Sequence, residues 1–264
     1  MPNFELSPTC KIHYLDENSS SLDVVVLLHG LGANSNSWLL QLPALQQAGF
    51  RIIAPDTPGF GSSTYLGRRA AVSTFTVPIE KLLEHLGLNR INLVGISMGG
   101  VLALQITLNH PQWISRLVLV NTFAHLNVTS PRLIPYYLVR YILVHTLGLP
   151  TQAKAVARRL FPYPEQEVLR QGLIEQISQA DPRAYRAAMR ALARFDVRNR
   201  LREICCPTLV ISGDRDTTVP IETQRYLVQN IANARHSVIL DAGHGVTVEK
   251  PCHFNAVLVE FLRN

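Results

Sequence analysis

Ile91-Asn92-Leu93-Val94-Gly95-Ile96-Ser97-Met98-Gly99-Gly100 is the stretch from which the rest of the chain can be read. Gly95 to Gly99 fit the pattern G-x-S-x-G, a serine on a tight turn between a strand and a helix. The flanks agree with that reading. Ile91, Leu93, Val94 and Ile96 make a short apolar run suited to a buried strand. Val101, Leu102, Leu104 and Leu108 then repeat at helical spacing. So sharp a turn leaves no room for a β-carbon where the helix crosses the end of its strand, which accounts for glycine at 95 and 99. It points the Ser97 hydroxyl outward and sets it at a helix N-terminus, where free N–H groups favour negative charge. A glycine-bearing loop that happens to hold a serine would spell the same five residues, so partners elsewhere in the chain have to supply the rest.

Outward from this stretch, strands and helices alternate. Residues 10–16 read as an edge strand, and Val24 to Leu28 as a central strand covered on both faces. The central strand ends in His29-Gly30-Leu31-Gly32. A helix is expected over about 37–48 and a strand over 51–55. Asp56-Thr57-Pro58-Gly59-Phe60-Gly61-Ser62-Ser63 follows, dense in turn formers. A helix over 77–86 precedes the serine strand, and another strand is expected over 117–120. This alternation calls for a mostly parallel sheet flanked by helices. It stops between about Thr122 and Arg202, where the apolar spacing is helical throughout. It resumes with a strand at 208–211, a helix at 221–231, a strand at 236–240 and a helix at 252–262.

With 264 residues, 47% of them hydrophobic and 17% charged, the chain can bury a real core and is not disordered. Cys10, Cys205, Cys206 and Cys252 show no metal spacing and are read as reduced, which points to the cytoplasm. Met1 to Cys10 carries no secretory signal pattern, and no apolar run approaches a membrane span. The net charge of +6 is unevenly placed. Between Arg132 and Arg202 there are thirteen basic residues and five carboxylates, so the remainder is slightly acidic.

A serine hydroxyl is a weak nucleophile that needs a base, and the base needs an orienting acid. Two stretches after the helical region offer them. Gly213-Asp214-Arg215-Asp216-Thr217-Thr218-Val219-Pro220 follows one buried strand, and Asp241-Ala242-Gly243-His244-Gly245 follows the last. In an open parallel sheet the carboxyl ends of the strands share one edge, where ligands bind.

The order Ser…Asp…His, the elbow and the His29-Gly30 turn resemble the α/β-hydrolase fold superfamily. Within it the chain is similar to the small serine esterases, lactonases and thioesterases with a helical cap. The resemblance covers nearly the whole chain, strongly over 24–121 and 207–262 and weakly between them. It implies a core domain of residues 1–121 and 203–264, with an all-helical cap inserted at 122–202. It implies Ser97 as nucleophile, His244 as general base and Asp216 as acid, with Asp214 as the main rival and Asp241 a distant one. It implies backbone N–H groups of Leu31 and Met98 as the oxyanion hole, and Asp56 as a structural turn residue. The expected activity is hydrolysis of a carboxylic ester or thioester through an acyl-enzyme, with no cofactor and no metal. Haloalkane dehalogenases and epoxide hydrolases carry aspartate at the elbow and are set aside. Carbon–carbon bond hydrolases, lactonases, lyases and cofactor-free haloperoxidases keep the serine and stay open, as does a non-catalytic ligand receptor, since fold alone does not set function.

Substrate choice is expected to lie in residues 122–202. Leu133, Ile134, Tyr136, Tyr137, Leu138, Tyr141, Ile142, Leu143 and Val144 either line an acyl pocket or pack this segment onto the main domain, and packing is the plainer reading. Tyr137 is the candidate pocket residue. Arg183, Arg186, Arg190, Arg194 and Arg198 fall within about a 120° arc of one helix, opposite Tyr185, Ala188, Leu192 and Phe195. A solvated face is the default meaning of such a stripe. The sharper one is that Arg186 and Arg190 recognise an acidic substrate, an acyl carrier protein or an anionic membrane surface. No stacking pattern or motif accompanies the charge, so nucleic acid is not expected.

Overall fold

The computed structural model describes residues 2–7, 10–64, 70–126 and 134–264, without the side chains of Tyr136 and Tyr137. Eight strands form one sheet: β1 (Asn3–Ser7), β2 (Cys10–Glu17), β3 (Val24–Leu28), β4 (Arg51–Pro55), β5 (Ile91–Ile96), β6 (Ile114–Val120), β7 (Thr208–Gly213) and β8 (Ala234–Ile239). Their spatial order is β1-β2-β4-β3-β5-β6-β7-β8. The β1–β2 and β2–β4 pairs are antiparallel, and the remaining pairs are parallel. Strand β2 is therefore not the edge. The true edge, β1, escapes a sequence reading because its side chains are mostly exposed and no apolar run marks it.

The central strands show why a continuous apolar run suits the middle of such a sheet. All five residues of β3 are buried. Val24, Val26 and Leu28 pack into one core layer, while Val25 and Leu27 pack into the other. The period of two thus feeds both faces from one strand. Helices α2 (Ser73–His85), α3 (Met98–Asn109) and α8 (Ile221–Asn230) cover the first face. On the second face lie α1 (Leu42–Gln47), the short α9 (Val246–Glu249) and α10 (Pro251–Arg263), which bring Leu45, Val246, Phe254, Leu258 and Leu262. Each such side chain stabilises the fold by about 1.5–3 kcal/mol relative to leaving it in water.

The single helix expected over 37–48 is broken. A 3-10 turn at Ser35–Trp38 comes first, held by the Asn34 side chain accepting from the Asn36 N–H. It turns Trp38 into the core. Helix α1 then starts with Pro43 in its first turn, where a missing N–H costs nothing.

Between β6 and β7 the alternation is replaced by α4 (Ile134–Thr146), α5 (Gly148–Leu160), α6 (Glu167–Gln179) and α7 (Pro182–Arg194). Helix α7 buries Ala184, Tyr185, Ala187, Ala188, Ala191 and Leu192 on one face. Asp181 caps it by accepting from the Arg183 and Ala184 N–H groups. The arginine stripe is shorter than its spacing suggests. Phe195 leaves the helix in extended conformation, so Arg198 sits on the next 3-10 turn and pairs with Asp196. Helix α4 departs from the packing expectation. Ile134, Leu138, Val139, Tyr141 and Ile142 are exposed, and Val144 is buried. Leu133 and the side chains of Tyr136 and Tyr137 lie outside the described residues. Among the described residues, no helix is long and apolar enough to cross a membrane.

Candidate active site

Ser97 lies between the end of β5 and the first turn of α3, with φ 53° and ψ −114°. A side chain at positive φ is strained and persists only where its surroundings over-determine it. They do so here. The Ser97 N–H donates to the Val120 carbonyl at 2.9 Å, and the Ser97 carbonyl accepts from the Val101 N–H at 3.1 Å. The Thr122 hydroxyl donates to the same carbonyl at 2.7 Å. The glycines are close-approach residues. A β-carbon on Gly95 would run into the Gly99 carbonyl, and one on Gly99 into the carbonyls of Leu28 and His29. The elbow therefore rests directly on the backbone of β3 and the turn that follows it.

His244, in the loop after β8, places Nδ1 2.7 Å from Asp216 Oδ2. Both side chains are nearly sealed from water, 9% and 2% exposed. The other carboxylate oxygen, Oδ1, accepts the N–H groups of Thr218 at 2.7 Å and Val219 at 3.0 Å. The Asp-x-x-Val spacing thus makes a short turn that fixes the carboxylate by its far oxygen and presents the near one to the imidazole. The two rival aspartates are occupied elsewhere. Asp214 accepts the Ala242 N–H, and Asp241 pairs with Arg215.

Two groups that hold this loop have no signature in the sequence. Asn121, fully buried at the end of β6 with φ 43°, donates to the carbonyls of Gly243 at 3.1 Å and His244 at 2.9 Å. Its own side-chain oxygen accepts the Gly213 N–H at 3.0 Å. One amide thereby ties the ends of β6 and β7 to the histidine loop. Replacing it with alanine leaves three backbone groups without that partner, at about 1–3 kcal/mol each where they stay dry. Asn121→Ala is expected to lower unfolding free energy by at least about 2 kcal/mol and to reduce turnover, checked by urea melts and steady-state kinetics. Glu249 is the second group. It accepts the Gly243 N–H at 3.1 Å and a hydrogen bond from Gln166 Nε2 at 3.1 Å, and burial pushes its carboxyl up from the usual range.

The turn after β3 faces the elbow. A β-carbon on Gly30 would lie 3.7 Å from the Ser97 β-carbon, and Leu31 lines the same cavity as Ser97. The turn closes through the Ala33 N–H donating to the Gly30 carbonyl at 3.1 Å, with Gly32 at φ 84°. His29 braces it from inside the core. Its Nε2 accepts the Thr57 N–H at 2.9 Å, so the ring proton sits on Nδ1 and points at the Gly30 carbonyl, 2.8 Å away. Burial holds this imidazole well below its ordinary proton affinity, partly countered by the Asp56 carboxylate and the Gly30 carbonyl. Asp56 itself accepts the N–H groups of Ser35 and Ser62, each at 2.8 Å, which makes it a fastener of turns.

The His29 shift has a sign that can be measured. The unfolded chain takes up a proton here near pH 6.5 and the folded chain resists it. Stability is therefore fully present above that value and falls as the pH drops below it. The expected result is a urea midpoint that declines between about pH 7 and pH 5, with a flatter profile over that window in His29→Gln.

Ser97, His244 and Leu31 open onto one cavity of about 280 Å³. The inserted helices supply much of its wall, among them Val156, Leu160, Leu169, Leu173 and Leu192. They also grip the loops beneath. Arg159 donates to the Thr217 carbonyl at 2.7 Å, and Ile177 and Tyr185 press on Gly32. Among the described residues, the permanently cationic side chain lining this cavity is Arg140. Arg186 instead lines a separate groove with Gly59, Asp181 and Arg183. Arg190 is exposed and is not among the residues lining either.

A hydroxyl at a helix N-terminus and an imidazole oriented by a carboxylate, both lining one largely apolar cavity, can together support nucleophilic attack on a carbonyl. The model of the alpha/beta hydrolase fold family matches residues 23–146 and 138–251. The chain belongs to that family. RutD of Caulobacter sp. (strain K31), named as a carbamate hydrolase, is 31% identical over 252 residues, 92% of each chain. The 2-hydroxy-6-oxo-6-phenylhexa-2,4-dienoate hydrolase of Comamonas testosteroni is 29% identical over 280 residues, 96% of this chain and 91% of that one. Among solved structures, the enol-lactonase from Burkholderia xenovorans LB400 superimposes with a TM-score of 0.90 at 28% identity, covering both chains completely. Different scissile bonds are named in these relatives, and hydrolysis is common to them. The chain is accordingly a hydrolase of this family.

Proposed function

We propose that this protein is a serine hydrolase that cleaves a carboxylic ester or thioester of a small molecule. The observation that carries the reading is the His244–Asp216 hydrogen bond, nearly dry, in the cavity that Ser97 also lines. Asp216 holds the proton on His244 Nδ1, which leaves Nε2 free to accept the Ser97 proton. Ser97 Oγ attacks the carbonyl carbon, and the resulting oxyanion is held by the N–H groups of Leu31 and Met98. The C–O or C–S bond breaks, and His244 returns its proton to the departing alcohol or thiol. Water then attacks the acyl-enzyme with His244 again as base, and Ser97 recovers its proton as the acid leaves. The helices from α4 to α7 act in this reading as a cap that admits substrate and excludes bulk water.

Turnover of p-nitrophenyl acetate and butyrate, followed in the first seconds, tests the reading. An initial burst of p-nitrophenol matching the enzyme concentration supports an acyl-enzyme. Ligand binding with no turnover of any ester or thioester would favour a receptor. The names of the relatives favour one second reading, a lactone or a carbon–carbon bond as the natural scissile bond. A dienoate or enol-lactone turned over far faster than every ester and thioester would select it.

A further inference from the structure

Resting on the serine-hydrolase reading, we propose that the substrate carries a carboxylate and that Arg140 recognises it. The cavity wall is mostly apolar, with Trp38, Phe123, Leu160, Phe161 and Leu173 among its residues. Its described polar members are neutral apart from Arg140 and the titratable His244, and no aspartate or glutamate is among them. Arginine keeps its charge at every working pH and presents a fork of donors matched to a carboxylate. Next to apolar walls its field is less screened than in water, so the cavity favours an anion over a neutral isostere.

The guanidinium is aimed from a rigid base. Arg140 Nη2 donates to the Tyr185 hydroxyl at 3.0 Å. Tyr185 is fully buried, lies 6.5 Å from Phe60 ring to ring, and comes within 3.0 Å of where a Gly32 β-carbon would be. The cation is thus tied to the same turn that carries Leu31. That hydroxyl is a neutral partner and does not cancel the charge. A cavity of about 280 Å³ suits a small half-ester, with its carbonyl at Ser97 and its acid at Arg140. This moves charge recognition away from the α7 stripe, whose Arg186 faces a different groove.

Monoethyl glutarate and ethyl pentanoate, equal in acyl length and different in charge, test the proposal. The expected wild-type kcat/KM favours the half-ester by about tenfold or more at low salt, and the preference shrinks as salt is added. Arg140→Gln is expected to lower that ratio by about tenfold or more, with Arg140→Lys falling between. A wild-type preference for the neutral ester, or a ratio unmoved in Arg140→Gln, overturns the assignment. A second measurement does not depend on turnover. Calorimetry on Ser97→Ala should show glutarate binding that weakens about tenfold when Arg140→Gln is added. Glutarate binding with no ester turnover would sink the serine-hydrolase reading and keep the anion site. Ester turnover with no glutarate binding would sink the anion site alone. Thermal melts of each variant establish that it is folded before its ratio is read.

Discussion

Replacing Asp216 with asparagine is expected to lower kcat by about ten-thousandfold while the fold survives. The size of the effect follows from the two oxygens of Asp216. Oδ1 accepts two N–H groups, from Thr218 and Val219. An asparagine must keep its oxygen on that side, because turning the amide would set donors against donors. Its Nδ2 then faces His244 Nδ1 and donates to it. The imidazole is forced to carry its proton on Nε2, the nitrogen that has to accept the proton of Ser97. Steady-state kinetics on a short ester, with a thermal melt beside them, check this. A loss below about tenfold would mean that Asp216 does not set the tautomer of His244.

The second large effect is on the fold. Gly99→Ala is expected to cost about 3 kcal/mol or more, above the usual range for an overpacked side chain. The new methyl would meet two backbone carbonyls, those of Leu28 and His29, and neither can move aside like a side chain. Both belong to the fully buried end of β3 and its turn. Against a typical total of about 5–15 kcal/mol, such a loss should appear as a melting temperature lower by roughly 10 °C or as insoluble protein. Gly172→Ala is the matched control. It lies inside α6 with nothing within 4 Å of the new carbon, so it should be neutral or stabilising by about 0.5–1 kcal/mol. Equal melting temperatures for Gly99→Ala and the wild type would mean that the elbow is looser than these contacts imply.

The central strands were readable because a buried parallel strand leaves a dense apolar run, as in Val24 to Leu28. Strand β1 was not readable, because an edge strand with one partner needs no such run. Ser97, Asp216 and His244 stood out because each sits in a turn with its own spacing, and the structure brings Asp216 and His244 into contact. Asn121 did not, since an asparagine after a strand looks like any turn residue and its three partners come from loops far along the chain. The arginine stripe runs longer in the sequence spacing than in the helix. Spacing alone cannot show that the chain turns extended at Phe195, or that Arg186 faces another groove. Arg140 leaves no signal in the sequence for the opposite reason. It belongs to no stripe, and its place in the cavity depends on how α4 is set relative to Tyr185 of α7.

The most direct test of Ser97 as an activated nucleophile is covalent labelling with a fluorophosphonate, read by intact mass and peptide mapping. One adduct per chain on the peptide holding Ser97 is expected, with none in Ser97→Ala and slow formation in His244→Ala. An unlabelled wild type, an adduct on another residue, or full ester turnover by Ser97→Ala would contradict it.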